Sequence, residues 1–565
     1  MRPTILLLLA SLLTFSGCNG PEPTVAESLE ADIVVYGDPA GGVAAAVQAA
    51  RMGKSVILVS QVGHLGGMTS SGLGWTDIGN KQILGGISRE FFHQVYLHYT
   101  DDEAWVQQTK DEFPAKGQGA PTFDEATQLG SVFEPKVAEM IFDQMVEEAG
   151  ITVVYGRLDL DNGATMKGKR IGAIRLEDGR QVKGKMFIDA TYEGDLLPAA
   201  GVTYTVGREA NTVYGESVNG ISLPVHSNNT PDGIDPYVVE GDPSSGLLPG
   251  VNEYDEADVG QGDHRLQAYC YRVCLTDAPD NRILIAKPEG YDEKDYEILF
   301  RATDSGYRGL WGSFFKLSPL PNRKTDSNNQ GGISMNKIGN NYSHLPPEHP
   351  DYWDWTTLSY EGRAKVEEDQ KNWQLGLIWT LQNHPRVPED VRAKYAGWGL
   401  PKDEFVENNH WPYNLYVREG RRMVSDFVMT EHQCRQTEGY PQVTDSVGMG
   451  AYTMDSHNVQ RVNWNGQLKN EGDIQKSLKG RPYPIAYRSI VPARGECENL
   501  FVPWSLSASH IAFGSIRMEP VGMILGQSAA TAAAMAMDAQ ISVQDVDYAA
   551  LKDKLVEDGQ VLFVD

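Results

Sequence analysis

Gly37, Gly41 and Gly42 stand where a short apolar run, Asp32 to Tyr36, gives way to an alanine-rich run. Without a Cβ, glycine lets backbone and ligand approach closely. The first N–H groups of a helix have no intrahelical acceptor and carry partial positive charge, which suits a pyrophosphate. The pattern G-x-G-x-x-G would place glycine at 37, 39 and 42, but residue 39 is Pro39. Proline offers no N–H, although its fixed φ suits a helix start at Ala40. A second apolar run, Val56 to Val59, ends at Ser60 and Gln61, where a carboxylate usually meets a ribose. The Ser60 hydroxyl is a weaker substitute. The elements needed to position these groups are a strand ending at Tyr36, a helix carrying Ala44, Ala45, Ala46, Ala49 and Ala50 and closed by Gly53, and a second strand. That β–turn–α–β order predicts a dinucleotide-binding unit.

Three further blocks extend the reading: Gly63 to Gly74, with His64, Leu65, Gly66, Gly67, Met68 and Thr69; Ile188 to Leu196; and Ser507 to Pro520, with His510, Arg517 and Glu519. Together they resemble a bacterial FAD-dependent oxidoreductase family whose members often carry secretion signals and are sometimes labelled xanthan lyase-like. The resemblance covers the chain from about residue 31 to 537. It implies a flavoprotein fold of the glutathione-reductase and succinate-dehydrogenase type, with FAD as cofactor. The expected fold class is α/β: a Rossmann-like FAD-binding domain, discontinuous, with an inserted α+β substrate domain.

The resemblance also implies roles. The loop from His64 to Ser71 runs beside the flavin ring. Leu158 lies where the adenine is expected, and Ala190 and Asp195 follow a strand that ends at the cofactor. The amino end of the helix at Pro520 points at the flavin's pyrimidine edge, with Glu519, Gly522, Met523 and Gly526 at or near that end. There the helix dipole stabilises negative charge on the reduced ring. Oxidation of a C–H or CH–OH group by hydride transfer to flavin N5 needs a general base. His510 is the first candidate and His457 the second. Arg517 is the candidate for holding a substrate carboxylate or hydroxyl, or an oxyanion. A histidine in the position of His64 attaches flavin covalently in some relatives of the fold, so a covalent link stays open.

With 565 residues the chain is long enough for two or three domains, and its net charge of −27 argues against nucleic acid or an anionic membrane face as partner. Residues 1–17 read as an export signal: Arg2 precedes a short apolar stretch, Ile5 to Leu13. Phe15-Ser-Gly-Cys18 resembles a lipoprotein cleavage box, which makes Cys18 the expected lipidation site and residues 18–30 a tether. The expected protein is thus exported and touches a membrane only through a lipid anchor. Cys270, Cys274, Cys434 and Cys497 lack zinc spacing and read as buried thiols, with a disulfide open outside the cytoplasm.

Residues 31–206 and 485–540 read as two parts of the FAD-binding domain, 207–484 as the substrate domain and 541–565 as a tail. Helix is expected over 135–148, strand over 151–155, a hairpin turning at Asp178-Gly179, a buried strand over 186–190, a short strand over 500–503 and helix over 520–537. Residues 207–484 lack βαβ rhythm and read as loop-rich, with six tryptophans between Trp353 and Trp411 that are mostly core. Three functions compete. The first is oxidation of a small polar molecule, a sugar or sugar derivative among them, with an electron acceptor the sequence does not name. The second is a polysaccharide lyase, which has no need of FAD. The third is a surface carbohydrate-binding protein that has lost its chemistry.

Overall fold

A computed structural model describes residues 28–117, 120–226 and 228–564. Cys18 and residues 1–17, read above as an export signal, lie outside the described residues. The central feature is a seven-stranded mixed sheet. Strands β1 (Ser28–Tyr36), β2 (Val56–Ser60), β3 (Thr152–Tyr155), β4 (Ala164–Lys167), β5 (Arg170–Arg175), β6 (Gln181–Asp189) and β7 (Leu500–Phe501) belong to it. The order β3-β2-β1-β6 is parallel, and β7 joins β6 in the same sense. β5 and β4 continue from β6 as an antiparallel meander whose hairpin turns at Asp178-Gly179, as its alternation predicts. The run expected over 186–190 is the buried end of β6, a single nine-residue strand.

Helices α1 (Ala40–Arg51), α2 (Gly86–Thr100), α3 (Pro135–Glu148), α4 (Tyr360–Asn383), α5 (His510–Ile516), α6 (Glu519–Ala539) and α7 (Tyr548–Glu557) surround the sheet and the remaining chain. α1 and α6 touch backbone to backbone. A Cβ built on Gly526 would lie 2.0 Å from the Gly41 carbonyl oxygen, and one on Gly41 would lie 2.7 Å from that of Gly522. The small face of α6 is therefore a seat for α1. α6 is long and apolar enough to cross a membrane, but 89% of its apolar window is buried inside the protein, as in a core helix.

α4 runs 24 residues through the segment read as loop-rich, starting at a Ser359 cap that accepts from Gly362 N–H. Its buried face carries Gln370 and Gln374, whose amides satisfy the backbone of Tyr271 and Met335. Polar residues on the inner face erase the apolar period that would mark a helix. Cys270, Cys274, Cys434 and Cys497 are free and buried. Of the six tryptophans, Trp355, Trp373 and Trp411 are buried, and Trp353, Trp379 and Trp398 pack half-buried on the core.

Candidate functional site

The carboxyl ends of β1, β2 and β6 open on one groove, at the start of α1. Gly37 has φ +118°, and a Cβ on Gly42 would stand 2.0 Å from the Gly37 carbonyl oxygen, so the turn admits no side chain there. Pro39 lines the groove and occupies the N-cap of α1, leaving the N–H groups of Ala40 and Gly41 at the open helix start. Gln61 and Val62 follow from β2, Arg157 from β3, and Thr191, Tyr192 and Glu193 from β6. Tyr360 and Arg363 of α4, and Tyr413, Leu415 and Val417, form the far side. The groove encloses about 160 Å³.

The missing acidic residue at the end of β2 has a structural answer. Asp38 sits in the turn after β1, buried, and its carboxylate accepts from Ser60 Oγ at 2.7 Å and Gln61 N–H at 2.8 Å. Ser60 Oγ also accepts from Gly63 N–H, and its side chain is shut from the groove. It therefore has no free hydroxyl for a ribose; Gln61 is the β2-end residue that lines the groove. Leu158 and Ala190, just past the ends of β3 and β6, are buried. Asp195 is bound by Arg363 (2.7 and 2.8 Å) and Arg421 (2.7 Å). Burial opposes its ionisation, but the two guanidinium groups outweigh it and hold the carboxyl below its ordinary range. Asp195 thus ties α4 to the groove wall.

The His64 loop is held against α6 by one buried chain of hydrogen bonds. Met68 N–H donates to Tyr192 Oη (2.7 Å), Tyr192 Oη donates to Glu519 Oε1 (2.9 Å), and Thr69 Oγ1 donates to Glu519 Oε2 (3.1 Å). Burial pushes the Glu519 carboxyl up to about 7. Gly66 and Gly67 fit tightly: a Cβ on Gly67 would meet Tyr192 Oη at 2.3 Å and Pro39 at 2.8 Å. His64 stacks on Tyr413, 3.4 Å between ring centres, and its Nδ1 lies 2.6 Å from Glu139. Leu65 and Met523 are core residues, and Gly522 and Gly526 are occupied by the α1–α6 contact and by the ring of Trp504.

Beyond the groove lies a polar cavity of about 540 Å³. The segment Leu415–Val417 divides the two: Leu415 and Val417 line the groove, and Tyr416 lines the cavity. Arg272, Asp455, His457, Lys316 and Met518, the N-cap of α6, share the cavity lining, and Trp311 stands there 81% exposed. Burial, then Arg418, Arg517 and Arg272, hold His457 well below 6.5, so it is neutral. Its Nε2 lies 3.7 Å from Asp455 Oδ2.

The three residues expected to do chemistry separate here. His457 lines the cavity. Arg517 lies behind it, donating to Tyr416 Oη at 2.7 Å and to the Asp455 carbonyl at 3.1 Å. His510 is fully buried, with Nδ1 2.8 Å from Glu419 and Nε2 2.9 Å from Ser456 Oγ. Glu419 only accepts, so Nδ1 carries the proton and Ser456 donates to Nε2. Burial, then Arg422 and Arg208, lower His510 to about 3. With both nitrogens engaged and no solvent access, His510 holds the strand before His457 in place and does not reach the cavity. This Ser456–His510–Glu419 line has the order of a nucleophilic triad, yet Ser456 is also fully buried. Tyr416, Arg272 and Trp311 were not singled out from sequence; His457 was.

The groove fits a dinucleotide in kind: a turn that admits no side chain and an open helix start. Comparison with known families names the cofactor. The FAD dependent oxidoreductase family matches residues 32–555. Curated proteins offer no match. Solved structures similar in part include an anhydrotetracycline hydroxylase from Streptomyces rimosus (13% identity, TM-score 0.22, 32% of this chain and 36% of that one). An L-amino acid deaminase from Proteus vulgaris is 16% identical (TM-score 0.23, 33% and 54%). A 3-ketosteroid-Δ4-(5α)-dehydrogenase from Rhodococcus jostii is 18% identical (TM-score 0.20, 31% and 50%). The match spans about a third to a half of those chains and carries no argument about substrate. The family match runs through nearly the whole chain, and on it this protein belongs to the FAD dependent oxidoreductase family, an FAD-using redox enzyme.

Proposed function

We propose that the protein oxidises a small polyhydroxylated molecule, a sugar or sugar derivative, bound in the cavity of Arg272, Tyr416 and His457. The observation that carries this reading is the lining of that cavity. It pairs neutral and charged hydrogen-bonding groups with an exposed indole, Trp311, the combination that meets the hydroxyls and the C–H face of a sugar ring. Residues 31–206 and 485–540 act as one discontinuous FAD-binding domain around the inserted segment 207–484; the pairing of β7 with β6 supports this.

FAD, when bound, supplies the hydride acceptor. Ala40 and Gly41 N–H would hold its pyrophosphate, and Gln61 would meet its ribose. His457, neutral and at the cavity surface, takes the substrate hydroxyl proton at a ring nitrogen. Tyr416 stays protonated because burial raises it above its usual range, against the pull of Arg517. Its oxygen already accepts from Arg517, so its own proton is left to donate to a substrate oxygen. Arg517 therefore positions Tyr416, and His510 positions the strand that precedes His457. The N-terminal sequence supports export and lipid anchoring at Cys18.

Anaerobic bleaching of the flavin against matched panels of sugars and polyols, carboxylic acids and amines tests the reading. Polyhydroxylated alcohols should bleach the wild type and fail with His457→Gln. Bleaching by amines alone, or equally by both proteins, would refute it.

A further inference from the structure

A second and larger cavity, about 720 Å³, lies between α4 and the strand Gln460–Trp464 and shares no lining residue with the one above. Arg461 reaches its lining from that strand. Several deep guanidinium groups are answered by carboxylates: Arg208 by Asp263 and Glu471, Arg272 by Asp326, Arg363 by Asp195, and Arg422 by Glu209. Arg418 instead donates to the Ala268 carbonyl and Cys270 Sγ. Among the described residues no carboxylate pairs with Arg461, and its Nε is closed to solvent with no acceptor. Burial alone lowers this guanidinium, to about 10. A guanidinium with an edge closed to solvent and no paired carboxylate is costly to keep, and that unfilled fork of N–H donors fits a carboxylate.

The rest of the lining says what carries that carboxylate. Trp353 and Trp373 present indole surface, Leu248 and Ile298 add apolar contacts, and Lys294 and Asp295 supply a polar edge. A bare inorganic oxyanion would leave the aromatic wall unused, whereas a ring with an apolar face, hydroxyls and one carboxylate matches each part. We propose that this cavity is a binding site for a uronate unit, a carboxylate-bearing sugar whose acid group is held by Arg461. The site stands apart from the redox reading, since binding here needs no turnover.

The test uses full-length, FAD-loaded protein. Glucuronate, glucose and inorganic phosphate are titrated by calorimetry, with tryptophan fluorescence as a second signal because Trp353 and Trp373 line the site. Glucuronate should bind at least about tenfold more tightly than glucose or phosphate. Arg461→Gln should erase that preference while leaving flavin content and flavin bleaching unchanged, and Arg461→Lys should keep part of it. If Arg461→Gln fails to fold, Trp353→Ala should weaken glucuronate and glucose alike and abolish the fluorescence change. Equal binding of glucose and glucuronate by the wild type, phosphate binding as tight as glucuronate, or an undiminished glucuronate preference in Arg461→Gln would overturn the proposal. So would full glucuronate affinity in Trp353→Ala.

Discussion

Gly526→Ala probes the joint on which the cofactor groove rests. The added methyl would stand 2.0 Å from the Gly41 carbonyl oxygen, where an ordinary contact begins at 3.4 Å. α1 and α6 must therefore part by about 1.4 Å, or α1 must slide along α6, in a region with no room. Such overpacking costs about 1–3 kcal/mol, and the better helix propensity of alanine returns about 1 kcal/mol of it. The larger effect is on the groove. Gly41 is in the first turn of α1, so a shift of that size takes its N–H away from a bound pyrophosphate. Losing one hydrogen bond to a charged group is worth about 1.5–3 kcal/mol, hence roughly ten- to hundredfold weaker FAD binding. FAD fluorescence titration of deflavinated protein measures this, and urea unfolding followed by circular dichroism measures the stability change. Gly397→Ala is the control, because its methyl would enter open space. Wild-type FAD affinity in Gly526→Ala would show that the two helices yield freely and would refute the reasoning.

Three other outcomes follow from the same geometry. His457→Gln should lower kcat/KM by about 10²–10⁴ at unchanged FAD content, as for a lost general base; a change below threefold would remove His457 from the reaction. His510 takes a proton near 6.5 in the unfolded chain but not until about 3 in the folded protein. Its contribution to stability is therefore whole above pH 6.5 and is lost as pH falls toward 3, by up to about 1.4 kcal/mol per pH unit. His510→Gln should flatten the stability–pH slope in that window by one proton, and an unchanged slope in pH-dependent urea unfolding would contradict the assignment. Trp311→Ala should raise KM about two- to tenfold, the worth of about 0.5–1.5 kcal/mol of ring stacking, with kcat and FAD binding unchanged; a drop in kcat alone would place Trp311 elsewhere in the mechanism.

The elements around the first glycine turn were legible because local rules govern them. Gly37 ends a strand, Pro39 starts a helix, and Pro135 and Pro520 open two more, each by fixed φ or a missing N–H. The observed helices begin within a residue of where those signals put them. α4 was not legible, because Gln370 and Gln374 on its inner face break the apolar period while satisfying distant backbone groups. Among the candidate site residues, the glycines and Pro39 could be read from spacing. The separate fates of His457, Arg517 and His510 could not, since all three are ionisable hydrogen-bonding side chains whose roles are set by which way the packed chain turns them.

The sequence alone determined the β–turn–α–β unit, the order of the three motif blocks and, through them, the cofactor class. Those are properties of neighbours along the chain, where dihedral limits and hydrogen-bond supply act within a few residues. Tertiary structure decided the rest. It placed Asp38 on Ser60, set Arg517 behind Tyr416, sealed His510 between Glu419 and Ser456, and left Arg461 on a cavity wall with no carboxylate among the described residues paired to it. Each depends on groups far apart in the chain meeting in a low-dielectric interior, where burial and charge, and not residue type, fix which side chain is free to act.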